Sequence, residues 1–333
     1  MRSDQGSRSL SWRATSPRPV AWAAVPLTAL PYPFAYWTWS ALLLAALMLA
    51  WYWAAPGAGR RRVIYLAAAV GWLPVIYGLQ LGQPGMFVAV GVAGSYVLLR
   101  ANRPLLAGIA LGAVALKPQL AFLVPLALLA ARRDRAFAGS VIALGLLTAG
   151  SALALGGAGI SAYEARLSFA AGVPVNRELT LAYFLGDLTA TRAAQVLIAV
   201  WSLTLAYRMR RRGPEWPFIC ALVGGMLATP YVHLDDLLML GLAGWLCLRA
   251  GAAGWTLGYV LVVILAIEGE PIWGPGPIIA GELGGLALLS VAALKHQDRD
   301  AEHHGPKGEH DAGLHRDGQE VSRDREAVRA RRA

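Results

Sequence analysis

The chain has 333 residues, of which 56% are hydrophobic and 15% charged, with a formal net charge of +10. Soluble domains carry about 25% charged residues, so this composition excludes an ordinary soluble domain and points to a chain that crosses a membrane many times. The positive charge falls in clusters between apolar runs, so membrane lipid is the expected surrounding and no nucleic-acid partner is implied.

In hydrocarbon every backbone polar group must be paired inside the protein, which leaves helices or a closed barrel. The alternating pattern of a barrel strand is absent. The expected fold is therefore an all-α polytopic membrane protein. Residues 1–19 form a polar N-terminal segment, "MRSDQGSRSLSWRATSPRP", without the apolar core of a signal peptide. Residues 20–295 form the multi-spanning domain. About eleven apolar runs follow one another there, at 34–55, 63–79, 86–100, 104–116, 119–131, 137–156, 190–207, 216–229, 236–249, 253–267 and 271–294. Several are shorter than the ~20 residues of a perpendicular span, so some are expected to be half-spanning. Cys220 and Cys247 both lie in apolar runs and read as small buried side chains, with no CxxC motif. Residues 296–333 carry many charges of both signs and almost nothing apolar, which predicts a disordered cytoplasmic tail. Its histidines 303, 304, 310 and 315 lack the frame that a metal site needs.

Arginine distribution sets the threading. If the first run enters from outside, Arg60, Arg61, Arg62, Arg100, Arg103, Arg132, Arg133, Arg135, Arg208, Arg210, Arg211, Arg212, Arg249 and Lys295 all face the cytoplasm. Lys117, Arg166, Arg177 and Arg192 face outward. This requires "LKPQL" to be a turn between two short helices. One helix over 104–131 would be about 42 Å long, too long for a ~30 Å core. Pro118 removes a backbone donor and turns Lys117 away from helix.

With that threading the unusual polar residues meet on the outer face. Gln80 and Gln83 sit in "YGLQLGQPGMF", Lys117 and Gln119 in the Lys-Pro turn, and His233, Asp235 and Asp236 in "ATPYVHLDDLLML". The long stretch 157–189 is read as an outer loop, and Glu268 and Glu270 as a solvated one. Plainer roles exist: Gly82, Pro84 and Gly85 make a turn, Lys117 snorkels, and one of the two aspartates caps a helix. Capping leaves the second carboxylate and the histidine unexplained. A lysine and a histidine suit a lipid phosphate, whereas amides and carboxylates suit sugar hydroxyls. A carboxylate beside a hydroxyl is a general base. The combination describes sugar transfer from a lipid-phosphate donor. Adjacent carboxylates on one helix point about 100° apart, so a divalent metal is not expected at Asp235 and Asp236, and no redox cofactor is needed.

Four motifs resemble glycosyltransferase family 87, within the C superfamily of membrane glycosyltransferases. They are "SPRPVAWAAVPLTALPYPFAYWTW", "GLQLGQPG", "RANRPLLAGIALGAVALKPQLAFLVPLALLAARR" and "LATPYVHLDDLLML". The resemblance implies a polyprenyl-phosphate-mannose-dependent transferase of the cell envelope, in the plasma (inner) membrane, multi-pass, with a cytoplasmic C-terminus. It implies a glycolipid or glycan acceptor and inversion in a single displacement. Lys117 would meet the donor phosphate, His233 the phosphate side, and Gln83, Gln119, Asp235 and Asp236 the hydroxyls. Two features depart from the family. Gly85 stands where an Asn commonly follows the Gly-Gln element. The superfamily's catalytic acid, expected in a first outer loop after an N-terminal helix, has no counterpart here, since Asp4 lies in a different context. The expectation is that this helix and acid lie upstream of Met1, with Asp235 and Asp236 as weaker candidates for the base. The rival readings are a transporter or flippase of polyprenyl-linked sugars, and an inactive remnant or partner subunit.

Overall fold

A computed structural model describes residues 22, 24–251 and 255–304. The N-terminal segment 1–19 and residues 305–333 of the tail lie outside the described residues. The described part is helical without strands. A short 3-10 turn at Val25–Ala29 leads into α1 (Tyr32–Ala54), and α2 (Gly59–Val70) and α3 (Leu73–Gln80) follow. Next come α4 (Gly85–Arg100) and α5 (Pro104–Ala110, extended as 3-10 helix over Leu111–Leu116). After the Lys117 break come α6 (Leu123–Ala130), α7 (Asp134–Gly172), α8 (Ala182–Leu185), α9 (Leu188–Arg208) and α10 (Glu215–Ala228). The order ends with α11 (Leu238–Arg249), α12 (Trp255–Glu268), α13 (Glu270–Trp273) and α14 (Gly276–His304). The last helix continues beyond Lys295, where the apolar composition ends.

Among the described residues, four helices are long and apolar enough to cross a membrane: Tyr32–Ala54, Asp134–Phe169, Leu188–Arg208 and Gly276–Lys295. A fifth arises if α2 and α3 count as one span bent by 53°. The run 63–79 is thus two helices, broken at Gly71 and Trp72, because Pro74 starts α3 and lacks the donor needed to continue α2. Other apolar helices, Gly85–Arg100, Pro104–Leu116, Glu215–Ala228 and Thr256–Glu268, are shorter, as are α6 and α11.

The expected outer loop 157–189 is corrected at its start, since helix persists to Gly172 past a break at Gly156 (φ 63°). The sequence "ISAYEARLSFAAG" is rich in good helix formers, and Pro174 is the first residue able to stop it. At "KPQ" the structure agrees with the sequence: Lys117 leaves the helical region (φ −153°, ψ 80°) and separates α5 from α6.

Small residues let the helices approach. A side chain on Gly108 would strike the Ala136 carbonyl, and one on Gly139 would strike the Leu105 carbonyl. Residues 105 and 108 of α5 therefore meet 139 and 136 of α7 backbone to backbone. Further along, Gly112 faces Ala143 and Leu147, so the two helices run parallel from the same end. Helix α4 is antiparallel to α5, with Gly91 against Ala110 and Ala113. Helix α10 is enclosed, with Phe218, Leu222 and Met226 buried and Gly225 facing Leu123 of α6. Ser202 of α9 donates to the Cys220 carbonyl at 2.5 Å, tying α9 to α10.

These directions give the body of the protein two distinct ends. At one, Tyr96 donates to Glu215 (2.7 Å), and Arg100 donates to Tyr96 (3.2 Å). There too Arg249 donates to the carbonyls of Trp53 (2.8 Å) and Ala55 (3.2 Å). At the other, Trp39 donates to the Gly82 carbonyl at 2.9 Å, and Gly78 packs against Asp235.

Candidate functional site

Three chain segments separated widely in sequence build the polar end. The first is the turn between α3 and α4. Gly82 adopts a left-handed conformation (φ 63°), and the Gln83 amide closes the turn on the Gly78 carbonyl at 2.8 Å. The second is the Lys117 break. The third is a short 3-10 turn, Leu234–Leu237, capped by His233. Asp236 reaches back to accept from the His233 backbone N–H at 3.0 Å, so the capping expected of one aspartate falls to Asp236.

Lys117 is only 7% exposed, and Asp235 and Asp236 are both completely buried. The ammonium donates to Asp235 Oδ2 at 2.7 Å and to Gln83 Oε1 at 3.2 Å, and is in close contact with Asp236 Oδ1. The ammonium is thus hydrogen-bonded to Asp235 and Gln83 and ion-paired with Asp236. Both neighbouring carboxylates reach the same ammonium. A 3-10 turn and a long lysine stem close the gap that an α-helical backbone would leave. Asp235 Oδ1 has no hydrogen-bond partner among the described residues, although it is buried.

Both groups lie in connections outside the spanning helices. Burial acts to depress the Lys117 pKa, but Asp236 and then Asp235 outweigh it and hold it above the ordinary lysine value. Burial raises the Asp236 pKa; Lys117 offsets this only in part, and the nearby Asp235 charge adds to the rise. The upward shift of Asp236 is thus chiefly a consequence of its burial, with the second carboxylate beside the shared ammonium adding to it.

His233 is the open side of the cluster, with its side chain 41% exposed. Its Nε2 lies 3.1 Å from Asn176 Oδ1, and its Nδ1 lies 3.8 Å from Asp236 Oδ2. An acceptor at Nε2 places a proton on that nitrogen. Asn176 also accepts from the Val232 N–H at 3.2 Å through its backbone, so the 174–177 turn is held against the His233 segment twice over. Asn176 had no signal in the sequence beyond its place in a polar stretch.

The structure therefore joins Gln83, Lys117, His233, Asp235 and Asp236 and adds Asn176. Gln119 is half-buried and makes no hydrogen bond to this cluster among the described residues, and Gln80 is exposed. Glu268 is more than a solvated loop residue. It accepts from the Leu73 N–H at 2.8 Å and so caps α3.

A family model of glycosyltransferase family 87 matches residues 15–231, well over half of the chain. The chain belongs to glycosyltransferase family 87. It is accordingly a membrane glycosyltransferase by family, whose substrates are a sugar donor and an acceptor. The match covers Gln83, Lys117, Gln119 and Asn176 and stops just short of His233, so the paired aspartates lie beyond it. Comparison with curated proteins and with solved structures finds no match.

Proposed function

We propose that this family 87 chain transfers a hexose, mannose by analogy with the family, from a polyprenyl-phosphate donor to a glycolipid or glycan acceptor. The reaction takes place at the extracytoplasmic face of the plasma membrane. The arginine-rich end faces the cytoplasm, as does the C-terminus, and the eleven apolar segments thread as full and half spans between the two faces. The observation that carries this reading is the buried Lys117–Asp235–Asp236 cluster beside a half-exposed His233, at the end opposite the arginine turns at 100–103 and 132–135.

Each group has a role that its geometry permits. His233 offers an open imidazole to the donor phosphate. A phosphate oxygen exchanges with Gln83 at Lys117, because Gln83 is the most distant and the only uncharged of the hydrogen-bond acceptors there. The freed Gln83 amide, with Gln119, then meets sugar hydroxyls. The unpartnered Asp235 Oδ1 accepts from the acceptor hydroxyl and takes its proton as the new glycosidic C–O bond forms. The anomeric C–O bond to phosphate breaks with its electrons going to phosphate, and configuration inverts. One C–O bond replaces another, so no redox cofactor takes part. Lys117 occupies the space between the two carboxylates, and the phosphate charge is met by Lys117 and His233 in place of a divalent metal.

The test is product formation from radiolabelled polyprenyl-phosphate-mannose in membranes carrying the full chain. Labelled glycolipid or glycan is expected, and Asp235→Ala should lose it while still inserting. Equal turnover in the variant overturns the site, and movement of the donor across the bilayer without transfer replaces the enzyme with a flippase.

A further inference from the structure

The four exposed arginines 103, 132, 133 and 135 are not used by the site above. They lie at the opposite end of the molecule, in two turns of the same design. Helix α4 ends with the Arg103 N–H on the Leu98 carbonyl (2.9 Å) and the Asn102 N–H on the Leu99 carbonyl (3.1 Å). Helix α6 ends with the Arg133 N–H on the Leu128 carbonyl (2.8 Å) and the Arg132 N–H on the Leu129 carbonyl (2.9 Å). Both are Schellman ends, and each requires a left-handed residue, Asn102 (φ 56°) in one and Arg132 (φ 60°) in the other. Among described residues these are the only left-handed positions not filled by glycine. Asparagine tolerates the conformation, but arginine has no local reason to adopt it.

The two turns are neighbours, because α5 and α7 start from them and touch backbone to backbone within two turns of helix. Arg103, Arg132, Arg133 and Arg135 are all exposed, and Asp134 is the one acid in this stretch. The four arginines form no ion pair with any described residue. Leading away from them, the flanks of α5 and α7 are apolar and uncovered, with Leu105, Leu106 and Ile109 on one and Val141, Ile142 and Leu146 on the other. The surface therefore combines a concentrated positive charge with an oily wall running from it.

We propose that the paired turns 102–103 and 132–135 bind the headgroup of an anionic phospholipid, whose acyl chains lie along the exposed flanks of α5 and α7. Planar guanidinium groups suit phosphate oxygens. The adjoining apolar wall favours a lipid over a soluble polyanion, which has nothing to place there. The left-handed Arg132 is then a backbone cost carried for a binding contact. This proposal is independent of the transfer reaction.

The experiment titrates the full chain, in neutral detergent, with fluorescent phosphatidylglycerol and with fluorescent phosphatidylcholine. Each basic residue near an anionic surface contributes about fivefold in affinity. Arg103→Gln/Arg133→Gln/Arg135→Gln should weaken phosphatidylglycerol binding roughly 100-fold and leave phosphatidylcholine unchanged. Arg60→Gln/Arg61→Gln, which removes exposed charge from α2, should stay within about twofold. Arg132→Gly fits its backbone better, so its Tm should hold or rise while phosphatidylglycerol affinity falls about fivefold. Wild-type affinity in the triple variant, equal loss per residue in the α2 control, or unchanged affinity in Arg132→Gly each overturn the site. Competition by glycerol phosphate as strong as that by the intact lipid replaces the lipid with a soluble anion.

Discussion

The two ends of this protein handle charge in opposite ways. At the arginine end, Arg103, Arg132, Arg133 and Arg135 are exposed and unpaired among described residues, and Arg60 and Arg61 are exposed too. At the other end, Lys117, Asp235 and Asp236 are buried and bound to one another. Exposed charges are solvated and individually add little to stability. A buried trio is tightly constrained, because loss of one member strands the others without water. Charged side chains are thus left open to their surroundings at one end and locked into a buried, mutually bonded cluster at the other.

The contrast can be broken most severely at Lys117. Lys117→Ala leaves two buried carboxylates without their cation and should destabilise the fold by about 3–5 kcal/mol, read as a fall in Tm in detergent. Adding Asp235→Asn and Asp236→Asn should recover most of that loss without restoring transfer. A Tm unchanged by Lys117→Ala would show that the cluster is wet. The pH response sharpens the point. Lys117 has a raised pKa in the fold, so its contribution is complete below the ordinary value of 10.5 and is lost as pH climbs above it. Asp236 is also raised, which reverses the usual carboxylate behaviour. Stability should fall as pH rises from about 3.8 toward its folded value, and Asp236→Asn should flatten that slope in a Tm-against-pH series.

Smaller effects are expected at the arginine end. Gly108→Ala places a methyl group against the Ala136 carbonyl and should cost about 1–3 kcal/mol by forcing α5 and α7 apart. Tyr96→Phe removes the hydroxyl shared by Glu215 and Arg100 and should cost about 1 kcal/mol. By comparison, Arg60→Ala should leave Tm within about 0.5 kcal/mol of equivalent stability. A small change in stability is also expected back at the site. Asn176→Ala should cost under about 1 kcal/mol, yet it frees the His233 ring and should raise KM for the donor more than it lowers kcat, a readout that a purely structural residue would leave alone.

The legibility of the sequence follows the range of each interaction. Pro118 stopped the helix at Lys117, and the arginine clusters marked helix ends, because both effects act within a few residues. The run 137–156 ended where the structure breaks at Gly156, but the helix beyond it was missed, since an internal glycine permits a break without ending the helix. The gathering of polar residues at one end could be read from the threading. Their pairing could not, since Lys117 and Asp235 are 118 positions apart. Glu268 looked like loop and proved to be the cap of α3, 195 positions away.

The sequence by itself determined that the chain is helical, that it lives in lipid, and which of its ends carries arginine, because hydrophobicity and backbone pairing are properties of each segment. Only the tertiary structure decided that one lysine joins two neighbouring aspartates, that Asn176 orients His233, and that two arginine turns stand side by side. Those relations depend on glycine-mediated crossings that bring distant backbones into contact, and no local pattern encodes where such crossings fall.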